Sequence, residues 1–475
     1  MRRLPILVRG MLVASLLAGL LPAAVAAADR VPRLKPTPPP PGDRSDPDAA
    51  LRHAFFEAEK GRLVSARQAL PASADALSRD LVSWIAWTRG AEADFDAMTD
   101  FIRMHPDWPL LSRLAARAES AITATTPDAA ILEWFAAHPP RTGKGRLAFA
   151  EALLRAGRRD EAVPLLRAGW RTADLSSPQE RRLLRRYGDI LDVADHVARV
   201  DYLLWYRARV QAARLLPLLP AGQRALARAR IALLSFAWDV DRRVAAVPAH
   251  LRNHAGLVHD RAYWRRIKGK HRAAQELLLA QRVDSGEILR PSLWWQERHI
   301  EARRALRDGD PETAYRLAAE HGLLDVHDLD AMTDDADAPL DIPLGTRSHI
   351  ADAEWLAGWI ALRFLHRPAL AEHHFRRLYK VVGYPISLAR GAFWLARSAE
   401  ARGNAAEARN WYEKAAPYWT TFYGRLAAER LGQNPGLAQA VASQDRPPGA
   451  VPDSFEDRPL AEAIRTAGMK RFRAI

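Results

Sequence analysis

The chain has 475 residues, is 48% hydrophobic and 27% charged, carries a formal net charge of +14 and contains no cysteine. That apolar fraction is ample for a buried core, so the composition excludes wholesale disorder. The missing thiols exclude disulfides, a thiol nucleophile, a zinc knuckle and a lipid-bearing Cys at a processed N-terminus.

The positive charge is carried by 62 Arg and only 8 Lys. A basic surface suits nucleic acid, anionic lipid or an acidic polymer, although so much Arg and Ala also fits a coding bias of the source genome. Abundant Ala with sparse Val, Ile and Thr favours helix over sheet throughout.

Arg2, Arg3 and Arg9 precede an apolar run from Met11 to Leu21. Pro22 follows, then Ala24-Val25-Ala26 and Ala26-Ala27-Ala28, which fit the small-x-small cleavage rule. Residues 1–28 therefore read as a secretory signal peptide. The alternative, an uncleaved anchor, is short for a bilayer span and broken by Pro22. Cleavage would remove three Arg and no acid, lowering the charge from +14 to +11. Export predicts the periplasm without a lipid anchor or stable membrane span. It argues against a nucleic-acid partner, because the polyanions outside the membrane are envelope polymers and lipids. Residues 29–48, with Pro38 to Pro41 in a row, read as a semi-rigid linker.

From Ala49 to residue 440 apolar residues recur at three- and four-residue spacing, punctuated by Gly or Pro. The pattern predicts helices paired as Ala50 to Lys60 with Leu63 to Leu70, and Gly145 to Ala156 with Asp160 to Ala168. It continues with Ala255 to Lys268 and Arg272 to Arg282, Glu297 to Asp308 and Pro311 to Glu320, then Gly391 to Arg402 and Ala405 to Ala415. Gly61, Gly157, Gly269, Gly309 and Gly403 each have an Ala five residues later, at Ala66, Ala162, Ala274, Ala314 and Ala408. In so Ala-rich a chain that spacing is at the level of chance. Its weight comes from falling at helix junctions, where Gly supplies a left-handed turn and Ala allows close packing. Intervals of about 40 residues fit helical hairpins. The expected fold is all-α, a right-handed α-superhelix of TPR-like hairpins over 49–440, with ring closure left open. Residues 441–475 read as a linker region and the start of one more helix.

Several clusters invite a chemical reading. Asp325 to Asp341 holds seven Asp and no Lys or Arg, but lacks the calcium-loop pattern, so a solvated acidic loop is expected. His250, His254 and His259 lie close in sequence, and the first two would share a helix face as zinc ligands. Without a carboxylate partner they read better as surface histidines. Of His373 and His374, only one is expected to be buried. Arg181, Arg182, Arg185 and Arg186 form one helix patch suited to carboxylates or phosphates, or simply to water. Trp84/Trp87 and Trp355/Trp359 sit at i, i+3 and i, i+4, so each pair shares a face. Such rings would stack on sugars in a polysaccharide groove, or fill the seam between helices; the seam is the expectation.

The stretch Ala353-Glu354-Trp355-Leu356-Ala357-Gly358-Trp359-Ile360-Ala361 resembles the superhelical region of soluble lytic murein transglycosylases. So do Pro385-Ile386-Ser387-Leu388-Ala389-Arg390-Gly391-Ala392-Phe393-Trp394 and Ala405 to Tyr412. Thr420-Thr421-Phe422-Tyr423-Gly424 looks like that family's Thr-Thr-Phe-Tyr-Gly signature, with Arg425 where many relatives would have Gln. The likeness spans Ile350 to Leu431. It implies a periplasmic enzyme that cleaves peptidoglycan between N-acetylmuramic acid and N-acetylglucosamine, leaving a 1,6-anhydro sugar. One Glu with a raised pKa acts first as acid and then as base. In that family the Glu sits in a Glu-Ser-x-Phe/Tyr motif followed by Gly-Leu-Met-Gln. The only Glu-Ser pair here is Glu119-Ser120, followed by Ala121-Ile122, and no Met precedes a Gln. The chain stops at Ile475, about where the catalytic domain would begin, so that domain is expected to be missing and the chain inactive alone. No catalytic, cofactor-binding or metal-binding residue is carried over, and no cofactor is expected. The expected partner is the glycan strand of peptidoglycan. A non-catalytic helical-repeat scaffold that binds envelope proteins is the alternative.

Overall fold

The computed structural model describes residues 46–433, except 93, 281–284 and 325–341. The expected signal peptide, most of the linker, the acidic segment and the C-terminal residues 441–475 lie outside the described residues. Among the described residues the fold is all-α: 22 α-helices, four short 3-10 turns and no strand. Two compact units divide at Leu114/Ala115.

In the first unit, α1 (Pro47–Glu59) pairs with α2 (Leu63–Ala69) and packs on α3 (Ala76–Thr88); α4 (Phe95–Met104) follows. Asp46, Asp75 and Asp94 cap α1, α3 and α4, each side chain accepting a backbone N–H of the first turn. The core is aromatic: Phe101 meets Trp87 edge-on at 5.5 Å and Trp108 at 5.3 Å. α1 starts two residues inside the stretch expected to be linker, because Pro47 sits at the first helical position and Asp46 caps it.

α5 (Leu111–Ala121) carries the division between the units. The second unit then runs through α6 (Asp128–Ala137), α7 (Gly143–Arg155), α8 (Arg159–Thr172), α9 (Ser177–Tyr187), α10 (Val193–Trp205), α11 (Arg209–Leu215), α12 (Ala221–Leu234) and α13 (Val240–Ala245). It continues with α14 (Ala255–Ile267), α15 (His271–Ala280), α16 (Pro291–Arg307), α17 (Pro311–Ala319), α18 (Leu344–Arg363), α19 (Pro368–Val381), α20 (Pro385–Ala401), α21 (Ala405–Ala415) and α22 (Phe422–Arg430). Neighbours pack on one another, most extensively α7/α8, α16/α17, α18/α19, α19/α20 and α20/α21. Helices also touch the next but one: α12 meets α14, α14 meets α16, α16 meets α18 and α20 meets α22.

The hairpin junctions explain the Gly-Ala spacing. All five glycines have positive φ, between 71° and 84°. At Gly157 the N–H bonds Leu154 O while the next N–H, of Arg158, bonds Leu153 O; the other four glycine turns repeat this Schellman pattern. The Ala five residues on is buried every time. The same device occurs where no Gly marks it. Arg207 (φ 60°) precedes buried Ala212, and His366 (φ 53°) precedes buried Ala371 through a turn one residue longer.

Element ends moved where capping chemistry overrode periodicity. α16 begins at Pro291 rather than Glu297, and α20 at Pro385 rather than Gly391, each with Pro in its first turn. α7 begins at Gly143 rather than Gly145, because the Thr142 side chain accepts from Gly145 N–H. α8 runs through Pro164 to Thr172 instead of stopping at Ala168.

Three arginines are among the largest fully buried side chains: Arg199, Arg230 and Arg298. Arg199 on α10 donates to Trp170 O and Ala173 O at the end of α8, at 2.5 and 3.1 Å, and also meets buried Glu180. Arg298 on α16 donates to Leu278 O near the end of α15 and to Leu317 O near the end of α17, both at 2.9 Å. These are the carbonyls a helix C-terminus leaves without partners. The planar guanidinium fork reaches two at once, where an ammonium would act as a point charge.

Candidate functional site

The segment of family resemblance falls on α18 to α22, and its polar centre is buried. Glu354 on α18 is fully buried among the Leu and Ala of the α17–α19 core. His321 Nδ1 accepts from Leu323 N–H at 3.0 Å, which leaves Nε2 to donate to Glu354 Oε1 at 3.3 Å. His374 Nδ1 on α19 meets Glu354 Oε2 at 2.6 Å, and its Nε2 meets the Tyr315 hydroxyl of α17 at 2.9 Å. Arg377 Nη1 lies 3.8 Å from the carboxylate. Burial pushes the Glu354 carboxyl up, but the hydrogen bonds and charge of His321 and His374 outweigh it and hold the group at about 2. Burial, with Glu354 nearby, pushes Tyr315 up to about 12. This is a fixed carboxylate that pins three helices together.

Glu354 sets the register of α18, and the opposite, partly exposed face carries Asp352, Trp355 and Trp359, the two indoles packing against the core as expected of a helix seam. Trp355 and Trp359 are partly exposed and stack at 5.8 Å with planes 12° apart. Arg390 on α20 lies 5.5 Å from the Trp355 ring, and Trp394, one turn on, meets Trp355 edge-on at 6.2 Å. On the other side Asp352 accepts from Trp295 Nε1 of α16 at 3.2 Å and lies 3.6 Å from His299 Nδ1. Burial pulls the His299 pKa down, against the pull of Asp352, which favours the neutral ring. Beyond it Gln296, His299, Ile300, Arg303 and Arg307 line a shallow cavity of about 290 Å³ along α16.

One surface thus runs from α16 over α18 to α20 with aromatic faces, cations and one carboxylate. The indole Nε1 of Trp355 and of Trp394, and Nε of Arg390, have no hydrogen-bond acceptor among the described residues. These donors are themselves buried, so a hydroxyl-rich ligand laid on the surface would meet the exposed parts of the rings rather than these N–H groups. A larger cavity of about 680 Å³, lined by residues of α15, α16 and α17, is less suited. Its Arg272 is paired with Glu276, its Arg316 with Glu320, and its Asp310 caps Thr313.

The other clusters resolve structurally. His250 is exposed in a 3-10 turn, while His254 caps α14, its Nδ1 accepting Gly256 N–H at 3.1 Å. His259 is buried against Asp260 at 2.9 Å. The pair meant to share a helix face is therefore split by the start of α14. The expectation of three surface histidines holds only at His250: His254 is mostly buried, 3.9 Å from Asp201, and His259 is fully buried against Asp260, which also holds buried Arg230. His374 is buried and His373 exposed, as expected from their opposite sides. Arg181, Arg182, Arg185 and Arg186 are all exposed on α9, with Arg182 reaching Glu151. Trp87 is buried, and Trp84 packs edge-on against Trp108 while donating to Pro109 O. Glu119 is buried and accepts the backbone N–H groups of Arg141 and Thr142, a structural role. Among the described residues no group of three His, Cys, Asp or Glu is arranged to hold a metal ion. Among the described residues, every carboxylate whose pKa is clearly displaced is displaced downward, as in Asp128, Asp260, Glu354 and Glu407. A glycosidic general acid needs the opposite shift. No family model matches the chain, and no curated protein matches it.

Proposed function

We propose that the second unit is a right-handed α-superhelix of TPR-like hairpins that holds peptidoglycan glycan strands in the periplasm. In this reading it is the substrate-embracing region of a lytic transglycosylase, and bond cleavage requires a catalytic Glu elsewhere. The reading rests first on the resemblance over Ile350 to Leu431. The observation that carries the binding role is the cluster of partly exposed Trp355, Trp359, Arg390 and Trp394, which offers aromatic faces for sugar rings beside a cation. The carboxylates of a peptidoglycan strand complement Arg303 and Arg307, which have no carboxylate within 4 Å among the described residues. The surface carries Asp352 beside His299, and the carboxylate buried beneath it, Glu354, is held as an anion rather than as the protonated acid that cleavage chemistry needs.

Retention of the full chain on purified sacculi tests the proposal. Trp355→Ala and Arg390→Ala should each weaken retention about tenfold, the effect of losing one stacked or charge-assisted contact. Unchanged retention in both variants, or no retention of the parent at low salt, refutes it. A protein-binding scaffold is the second reading, favoured by Tyr384, Ile386 and Phe422, which are 61%, 64% and 69% exposed. Sacculus binding by the parent that Phe422→Ser leaves intact would separate the two surfaces.

A further inference from the structure

A different edge of the second unit carries a second surface, formed by three successive hairpin turns. The α10/α11 turn centres on Arg207, the α12/α13 turn on Phe236 and the α14/α15 turn on Gly269, with φ of 60°, 53° and 71°. The turns lie together: Arg207 stacks on Tyr263 at 4.3 Å, Phe236 packs 6.0 Å from the same ring, and Lys268 lies 5.7 Å from Phe236. Arg290 joins them over Tyr206 at 4.4 Å, and Tyr206 stacks on Tyr202. The result is a continuous ribbon of alternating cations and rings.

Two features set this ribbon apart from an ordinary solvated edge. Gly holds the left-handed position at five hairpins, Gly269 of this edge among them, yet Arg207 and Phe236 occupy it in the other two turns here, as His366 does at the α18/α19 hairpin. A bulky side chain in that conformation carries a backbone cost of the kind that collects at functional surfaces. The second feature is apolar exposure at the tips. Trp238 is 91% exposed, Val210 71%, Ile267 50% and Tyr206 50%. The cations beside them are free of acids: Arg207, Lys268, Lys270 and Arg290 have no carboxylate oxygen within 4 Å among the described residues. Of the acids in these turns, Asp239 is buried and held by Arg242 and Arg243, Glu287 accepts Ala255 N–H, and Asp241 is exposed beside those two arginines.

We propose that this edge docks the protein onto an anionic lipid surface. Cations would meet lipid phosphates, Trp238 and Tyr206 would sit at the headgroup level, and Val210 and Ile267 would enter the acyl boundary. A soluble polyanion would engage the cations and rings but would gain nothing from the exposed aliphatic tips. That difference selects lipid over polymer. No helix among the described residues is long and apolar enough to cross a membrane, and the proposed contact needs none.

Flotation of the full chain with phosphatidylcholine vesicles, with and without phosphatidylglycerol, tests the proposal. The apolar run Met11 to Leu21 is common to every variant, so only differences between variants count. Retention should rise with phosphatidylglycerol and fall about fivefold for each of Arg207→Gln, Lys268→Gln and Arg290→Gln. It should fall about tenfold in Trp238→Ala, whose ring contributes through burial. Far-ultraviolet circular dichroism should be the same in all, since Trp238 projects into solvent. Phosphatidylglycerol-independent retention overturns the proposal. So does full retention in Trp238→Ala with loss only in the charge variants, which would make the edge a general polyanion site; soluble polyglutamate would then compete with the vesicles.

Discussion

Replacing Glu354 by Gln removes the charge that His321 and His374 are arranged to hold. The folded chain keeps this carboxyl at about 2, against an ordinary Glu value of 4.5. A displacement of that size corresponds to about 3 kcal/mol at 1.36 kcal/mol per pKa unit. Because the folded value is the lower one, the unfolded chain takes up the proton first as pH falls. The contribution is complete above about pH 4.5, declines below it and is lost once pH falls through about 2. A chain of 22 described helices in two compact units is not expected to unfold in one step, so the assay is hydrogen exchange read segment by segment at neutral pH. Exchange in α17, α18 and α19 should accelerate about a hundredfold in Glu354→Gln, as a loss of about 3 kcal/mol requires, while α7 and α8 remain unchanged. The ratio of variant to parent rates should shrink as labelling is moved from about pH 7 to below about pH 4. Equal acceleration in α7 and α8, or a ratio that does not change with pH, would refute the assignment of a locked anion.

Three further outcomes follow from the packing. His366→Gly should raise the stability of the α18/α19 hairpin by about 1 kcal/mol, because His366 is exposed and left-handed; local exchange or the thermal midpoint reads it. Gly358→Ala should lower stability by about 1–3 kcal/mol, since an added Cβ would lie 2.7 Å from buried Phe375; urea denaturation measures the loss. Arg298→Lys should lower it by about 2 kcal/mol, because one ammonium cannot bond Leu278 O and Leu317 O together. Protease susceptibility at the α15 and α17 termini would report that change.

The all-helical architecture was legible because its signals are local: a 3.6-residue period, Gly at a turn, Ala five residues on. The Gly-Ala spacing looked statistical in so Ala-rich a chain, and only the φ values at Gly157 or Gly309 show that it marks a turn type. The expected starts at Glu297 and Gly391 fell about six residues inside helices that begin at Pro291 and Pro385, because Pro favours the first helical turn. The site was much less visible. Glu354 lies 33 residues from His321 and 20 from His374, so no spacing rule links them before the helices pack. Trp355 and Trp359 were correctly placed on one face, but whether that face is seam or surface depends on Arg390 and Trp394 of α20. The buried arginines were hidden by their chemistry, since an Arg in a basic chain reads as surface charge.

Those arginines also impose an order of completion. Arg199 on α10 closes the end of α8, and Arg298 on α16 closes the end of α15, a helix that precedes it in the chain. An earlier hairpin therefore leaves the ribosome with exposed carbonyl ends that its successor supplies with donors. Deleting α16 would open α15 as well, so the smallest removable piece is larger than one helical hairpin. Natural length variation among helices linked in this way should then proceed in blocks that carry their own downstream arginine.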